Sequence, residues 1–383
     1  MSVTVAPIVI IGSGLAGYTL ARELRKLDRE TPLALVSADD GSFYSKPMLS
    51  NALASGKSAS GLALKTVAAM AAELNAEVHA GTEMQAIDLA GRRVLTAAGE
   101  IGWSRLVLAL GADPIRLPLA GDGAAAVISV NDLGDYARFR AAIEGTRRVA
   151  ILGAGLIGCE FANDLVLGGY AVEVADIAAQ ALGRLLPPEA AAGLRDALAT
   201  AGVRWHLGKK AVAVDRAGSA LVLRFEDGTH IETDVVLSAV GLAPRTGRAR
   251  AAGIEIKRGI VVDRFLRSSD ADVYALGDCA EVEGQVLPFV MPIMHAARAL
   301  ASTLCGSEKA VIYPPMPVVV KTPALPTVVC PPAPGVAGAW QVESGTGGTL
   351  ARYVDAAGKL IGFALTGAAV SHKNLLMKEL QTT

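Results

Sequence analysis

Two glycine patterns carry the strongest chemical signal in the chain. The first is Gly12-Ser13-Gly14-Leu15-Ala16-Gly17, directly after Ile8-Val9-Ile10-Ile11. The second is Gly153-Ala154-Gly155-Leu156-Ile157-Gly158, after Val149-Ala150-Ile151-Leu152. In a strand–turn–helix setting, the first glycine permits a tight turn, the second lets a pyrophosphate approach the backbone, and the third lets helix and strand pack closely. The phosphates then sit on free N–H groups at a helix N-terminus, where the helix dipole favours negative charge. One such pattern is as easily a glycine-rich turn. Two, each behind an apolar run, point to two dinucleotides on one polypeptide and to electron traffic between them. Asp176, about 20 residues beyond Gly155, stands where an acid receives the 2′-hydroxyl of an adenosine ribose. It would repel a 2′-phosphate and so favours NADH over NADPH; the alternative is a turn aspartate. The corresponding place after the first pattern holds Ser37 and Ala38, with Asp39 just beyond, so Ser37 is the candidate for that ribose.

Positioning these residues requires two α/β units. Ile8–Ile11 reads as a buried strand, and Ala16, Leu20, Leu24 and Leu27 form an apolar stripe opposite Arg22, Glu23, Arg25 and Lys26. Leu33–Val36 is a second parallel strand, and Leu106–Leu110 another, ending at Gly111. Pro114, Pro118, Gly121 and Gly123 mark a domain crossing. A second unit runs from Arg148 to Gly241, with Ala171–Ala175 as its second strand. Within it, residues 211–233 alternate as antiparallel strands around Asp227-Gly228. Ile260–Val262 and Val273–Leu276 return to buried strands, and His295–Leu304 reads as a helix. The prolines crowded after Pro314 exclude long helices there, and Leu350–Val354 and Leu360–Leu365 are short strands of a small α+β domain. The fold class is therefore α/β, with two Rossmann-like dinucleotide-binding domains and a small C-terminal α+β domain.

Composition removes other classes. A chain of 383 residues is long enough for about two or three domains. A net charge of −1 exerts no global pull on nucleic acid or anionic lipid. Mean hydropathy is +0.41, yet no apolar run is long enough to cross a bilayer. The chain opens almost on a strand, with no basic leader or cleavage site, so a cytoplasmic location is expected. The cysteines, Cys159, Cys279, Cys305 and Cys330, form no CxxC or CxxxxC pair, and the histidines are scattered. Reduced, mostly buried thiols and no metal centre are expected.

In the order of these motifs the chain resembles the pyridine nucleotide–disulfide oxidoreductase superfamily, flavoprotein reductases that bind two dinucleotides. Leu237–Pro244 resembles the return crossing from their NAD domain, and Val273–Asp278 their second FAD motif. Tyr44–Ser50, Gly155–Leu165, Val290-Met291-Pro292, Lys321-Thr322-Pro323 and Leu365–Val370 are similar to the rubredoxin–NAD reductase group. The resemblance implies an FAD-binding domain in residues 1–115 and 244–320, an NAD-binding domain inserted at 116–243, and a C-terminal domain at 321–383. It implies FAD contacts from Gly12, Ser13, Gly14, Leu15, Ala16, Ser37, Lys46, Met84, Ala109, Gly111, Glu160, Asp278, Val290 and Lys321. It implies NADH contacts from Gly153, Gly155, Leu156, Ile157, Gly158, Asp176 and Gly241. Lys46 and Glu160 are the catalytic candidates. The lysine would sit by flavin N5, where positive charge favours the reduced ring. The glutamate would face the lysine and the nicotinamide. The alternatives are a solvated lysine and a first-turn glutamate that suits the helix dipole. Asp278 would accept from the ribityl hydroxyls, and the N-terminus of the helix read from His295 would face the flavin pyrimidine.

Disulfide reductases of this superfamily carry a cysteine pair soon after the first glycine pattern. Here Ser45 and Ser50 occupy that region, and no cysteine precedes Cys159. Dithiol relay and sulfenate chemistry are excluded at that place, so electrons must leave the flavin directly. The resemblance implies hydride transfer from nicotinamide C4 to flavin N5, then two single-electron transfers to ferric rubredoxin. A ferredoxin of a dioxygenase or cytochrome P450 system is the alternative acceptor, and a flavoprotein acting mainly by partner binding is a third reading. Arg245, Arg248, Arg250, Lys257 and Arg258 are candidates for a basic docking patch, or an ordinary solvated loop.

Overall fold

Continuous apolar runs without alternation suit strands covered on both faces, and the two glycine patterns follow such runs. The computed structural model describes residues 6–333 and 335–382. It divides into two compact units. One comprises the chain up to Lys46, Ala63–Asp113 and Leu242–Tyr313; the other comprises Pro47–Leu62, Pro114–Gly241 and the chain from Pro314.

In the first unit, Ile8–Ile11 is the centre of a five-stranded parallel sheet. Its order is Val273–Ala275, Arg105–Leu108, Ile8–Ile11, Leu33–Val36, Glu77–His79. The helix Leu15–Leu27 follows the first glycine pattern and packs along the helix Val290–Leu304. The buried face also takes in Tyr18, Thr19 and Ala21, and the Tyr18 hydroxyl donates to the Gly41 carbonyl at 2.5 Å. Leu27, expected on the covered stripe, is the last helical residue and is 58% exposed. The helix read from His295 begins earlier, at Val290. Pro292 lies in its first turn, where a missing N–H costs no helical hydrogen bond. A three-stranded antiparallel sheet, Met84–Asp88, Arg93–Thr96 and Gly99–Gly102, completes this unit's main elements.

The second unit repeats the plan. A four-stranded parallel sheet runs Val203–Leu207, Ala171–Asp176, Arg148–Leu152, Val235–Ser238. The helix Leu156–Leu167 follows the second glycine pattern. Ala211–Ala217, Ala220–Phe225 and His230–Thr233 form the expected antiparallel sheet, with Gly228 at positive φ in the turn. The same unit contains a five-stranded antiparallel sheet in the order Val318–Val320, Thr327–Cys330, Leu360–Thr366, Gly348–Val354, Ala339–Gly345. Its core is Val328, Cys330, Leu360, Phe363, Leu365 and Leu376. The helix Pro188–Thr200 packs on this sheet, as does Lys373–Thr382. Among the described residues, no helix is long and apolar enough to cross a membrane.

Asp234 ties two strand ends of this unit together. Its Oδ2 accepts the backbone N–H groups of Arg147 and Arg148 at 3.0 and 2.9 Å, and its Oδ1 accepts the Arg148 guanidinium at 2.7 Å. The Arg148 hydrogen bond leads in lowering the carboxyl pKa to about 2. A folded pKa below the unfolded value stabilises the fold above the usual carboxylate range, and that stabilisation is lost as pH falls through about 2. Asp234→Asn is therefore expected to lower Tm at pH 7 and to lower it progressively less on acidification. A Tm difference independent of pH contradicts this assignment.

Candidate functional site

The two glycine turns have nearly the same geometry. Gly12 has φ +112°, and a Cβ there would lie 2.2 Å from the Ala109 carbonyl oxygen. Gly153 has φ +107°, and a Cβ there would lie 2.6 Å from the Ala239 carbonyl oxygen. The third glycines, Gly17 and Gly158, each leave room for a carbonyl that an added Cβ would meet at 1.9 Å. The second glycines differ in kind: nothing lies within 4 Å of a Cβ built on Gly14 or Gly155. Each is the N-cap of its helix, with no side chain capping the free N–H groups. Two glycines serve the protein's own packing, and the remaining one leaves open space before uncapped donors. That is the space a pyrophosphate requires, so both turns fit a dinucleotide.

Around the first turn, Ser13, Ser37 and Asp39 form one hydroxyl–carboxylate cluster. The Ser13 and Ser37 Oγ atoms are 2.6 Å apart, and both donate to Asp39 Oδ1, at 3.0 and 2.5 Å. The acid missing from the strand end is thus supplied by Asp39 and linked to the glycine turn through Ser13. Gly277, at φ +80°, leaves room for Ala16, whose Cβ would lie 2.9 Å from an added Cβ. This contact brings the next residue, Asp278, to the first helix. Burial raises the Asp278 pKa, against the lowering influence of Lys46, whose Nζ is 4.0 Å away. Leu15 opens the same helix, and Ala109 and Gly111 follow the strand Arg105–Leu108. Val290 begins the helix Val290–Leu304, and Met84 is buried at the start of its strand.

In the second unit, Asp176 ends the strand Ala171–Asp176 and bonds to the turn itself. Its Oδ2 accepts Ala154 N–H at 2.5 Å, and its Oδ1 accepts Ala178 N–H at 2.7 Å. Leu156 and Ile157 open the helix, and Gly241 adopts φ +123° after the strand Val235–Ser238. Glu160, on the same helix, is 1% exposed. Its Oε1 accepts the Lys321 backbone N–H at 2.9 Å, and its Oε2 accepts the Lys321 ammonium at 2.6 Å and the Ser50 hydroxyl at 2.5 Å. Lys321 Nζ also donates to Ser50 Oγ at 3.0 Å and to the Pro47 carbonyl. One carboxylate therefore joins three stretches far apart in sequence. Two neighbours extend this face: Asn163 accepts Ala324 N–H, and Asp164 accepts Leu53 and Ala54 N–H. Ser50, Asn163 and Asp164 had no assigned role in the sequence reading, because their partners lie over a hundred residues away.

The thiols are placed as expected. Cys159, Cys279 and Cys330 are buried and Cys305 is exposed. Burial pushes Cys159 and Cys279 to about 12 and Cys330 to about 11, far from a thiolate at neutral pH. Of the basic run, Arg245 is paired with Asp113 and Arg248 with Glu83, so part of its charge is already neutralised. Among the described residues, no cluster of three or more His, Cys, Asp or Glu side chains could hold a metal ion.

Residues 6–302 match the pyridine nucleotide-disulphide oxidoreductase family. The chain belongs to that family. Residues 310–380 match the rubredoxin binding C-terminal domain. The chain is 50% identical to the rubredoxin-NAD(+) reductase of Alcanivorax borkumensis over 98% of both chains. It is 44% identical to that of Acinetobacter baylyi, over 98% of this chain and 97% of the relative. Among solved structures it is similar to the ferredoxin reductase for the CYP199A2 system from Rhodopseudomonas palustris, with TM-score 0.88 and 27% identity over 96% of this chain and 93% of that one. Family membership accounts for the repeated plan of parallel sheet, glycine turn and helix. It also accounts for the second turn lying within a segment flanked on both sides by first-unit sequence.

The contrast between the glycines is directly testable. Gly17→Ala is expected to destabilise the protein by about 1–3 kcal/mol through overpacking. Gly14→Ala should stay within about 0.5 kcal/mol of the parent while binding its dinucleotide more weakly. Thermal unfolding and cofactor retention on a desalting column measure both. Equal destabilisation by the two changes contradicts the division of roles.

Proposed function

We propose that this protein is an FAD-dependent NADH:rubredoxin reductase, working without a redox disulfide. The observation that carries the reading is the joining of two features in one unit. The rubredoxin-binding segment, residues 310–380, contains Lys321, and Lys321 is bonded to Glu160 on the helix that follows the second glycine turn. The functional division is FAD binding in 1–115 and 244–320, NAD binding in 116–243, and acceptor binding from 321 onward. The work is proposed to take place in the cytoplasm.

Gly12, Ser13, Gly14, Leu15 and Ala16 hold the FAD pyrophosphate, with Ser37 toward the adenosine ribose and Met84, Ala109, Gly111 and Val290 lining the same molecule. Asp278 accepts hydrogen bonds from ribityl hydroxyls, and Lys46 holds positive charge near the ring. When bound, FAD supplies the exchange between a two-electron donor and one-electron acceptors. Gly153, Gly155, Leu156, Ile157, Gly158 and Gly241 hold the NADH backbone, and Asp176 receives the ribose 2′-hydroxyl and repels a 2′-phosphate. Glu160 orients the nicotinamide, with Lys321 and Ser50 bonded to the carboxylate in its buried position. Charge-assisted bonds of this kind are stronger than neutral ones.

Steady-state assays with NADH or NADPH against purified rubredoxin and a dioxygenase-type ferredoxin test the reading. NADH with rubredoxin is expected to give the highest kcat/KM, by about tenfold or more over each other pairing, equivalent to about 1.4 kcal/mol of discrimination. Faster ferredoxin reduction moves the assignment to the ferredoxin systems. Failure of NADH to reduce the protein at a useful rate supports a role in partner binding instead.

A further inference from the structure

The helix Leu156–Leu167 buries three polar side chains on one face: Glu160, Asn163 and Asp164, at 1%, 3% and 4% exposure. Glu160 belongs to the function just proposed. The other two touch neither glycine turn, yet each spends its acceptor oxygens on backbone of the segments that serve Glu160. Asp164 Oδ2 accepts Leu53 N–H at 2.9 Å and Oδ1 accepts Ala54 N–H at 3.0 Å. These N–H groups lie just after Ser50, the hydroxyl donor to Glu160. Asn163 Oδ1 accepts Ala324 N–H at 3.0 Å, just after Lys321, the cation on Glu160.

We propose that Asp164 and Asn163 are positioning residues that fix Ser50 and Lys321 on the Glu160 carboxylate. The inference rests on the catalytic reading of Glu160. The segment Pro47–Leu62 is an excursion of the chain into the second unit, and the Asp164 fork anchors it beyond Ser50. The fork adds to the bonds by which Lys321 holds the Pro47 carbonyl and the Ser50 hydroxyl from the other side. A carboxylate suits the place because two convergent N–H donors need two acceptor oxygens. An asparagine would turn an NH2 group toward one of them. Burial raises the Asp164 pKa, and the Ala54 and Leu53 N–H groups, Arg140 and Lys321 oppose that rise. A buried carboxylate is costly to keep unless its bonds serve a purpose. Both of its oxygens are given to one short segment beside the Glu160 carboxylate.

A double-mutant cycle on the holoenzyme tests this by anaerobic stopped-flow reduction of the bound flavin with NADH. Asp164→Asn is expected to slow reduction at saturating NADH about tenfold, the loss of about 1.4 kcal/mol, with little change in the NADH concentration giving half the limiting rate. Glu160→Gln should slow it more. The double variant should be no slower than Glu160→Gln, because a positioning residue has nothing left to position. Multiplying effects in the double variant, or a parent-like rate for Asp164→Asn, overturns the proposal while leaving the function of Glu160 standing. A parent-like rate for Glu160→Gln overturns both. If Asp164→Asn does not yield folded holoenzyme, Asn163→Ala in the same cycle carries the same expectations and the same refutations.

Discussion

A carboxylate buried to 1% exposure cannot persist in a protein core without partners, and the arrangement of the second unit follows from how Glu160 is satisfied. Its oxygens receive one backbone N–H, one ammonium and one hydroxyl. Removing one partner of a buried ion pair typically costs about 3–5 kcal/mol, because the remaining charge is stranded. The pair is therefore a structural requirement of this unit. It obliges three stretches to meet: the excursion after Lys46, the helix after the second glycine turn, and the lead segment of the C-terminal sheet. Lys321 is held by both its backbone and its side chain, so the acceptor-binding segment is fixed in register as well as in place.

The glycine turns provide the complementary economy. In both, the first and third glycines are consumed by carbonyl contacts inside the protein, and the second is left facing open space. The protein thus spends conformational freedom where its own packing demands it and leaves one backbone position for a ligand. The helix dipoles and uncapped N–H groups behind each turn turn that space into an anion site. The second helix carries both the open glycine at its N-cap and the buried Glu160 carboxylate. Cys159, Cys279 and Cys330 are buried and Cys305 is exposed, and burial raises the pKa of each thiol.

The glycine turns, the parallel strands and Asp176 were legible in the sequence because each is a local demand. A tight turn needs a particular φ, a buried strand needs an unbroken apolar run, and Asp176 closes such a run at the end of its strand. Ser50, Asn163 and Asp164 were not legible in their roles, since their partners are brought near only by the completed fold. The Ser37–Asp39 cluster shows the same limit at short range. The sequence places a serine where the acid was expected, and only the side-chain geometry shows the acid reaching it. Charge runs are also ambiguous before folding, as Arg245 and Arg248 show by pairing with Asp113 and Glu83. The helix begins at Val290, ahead of the start read at His295, since a proline in a first turn costs no helical hydrogen bond.

The central claim is that electrons pass from NADH to an iron protein with no disulfide storing them on the way. An anaerobic titration of the holoprotein with NADH, followed by addition of excess ferric rubredoxin, tests it most directly. About one NADH per chain is expected to complete the reduction, and about two rubredoxins are then reduced, as electron balance requires for a single two-electron carrier. Uptake of a second NADH equivalent, or reduced protein that leaves rubredoxin oxidised, would contradict it.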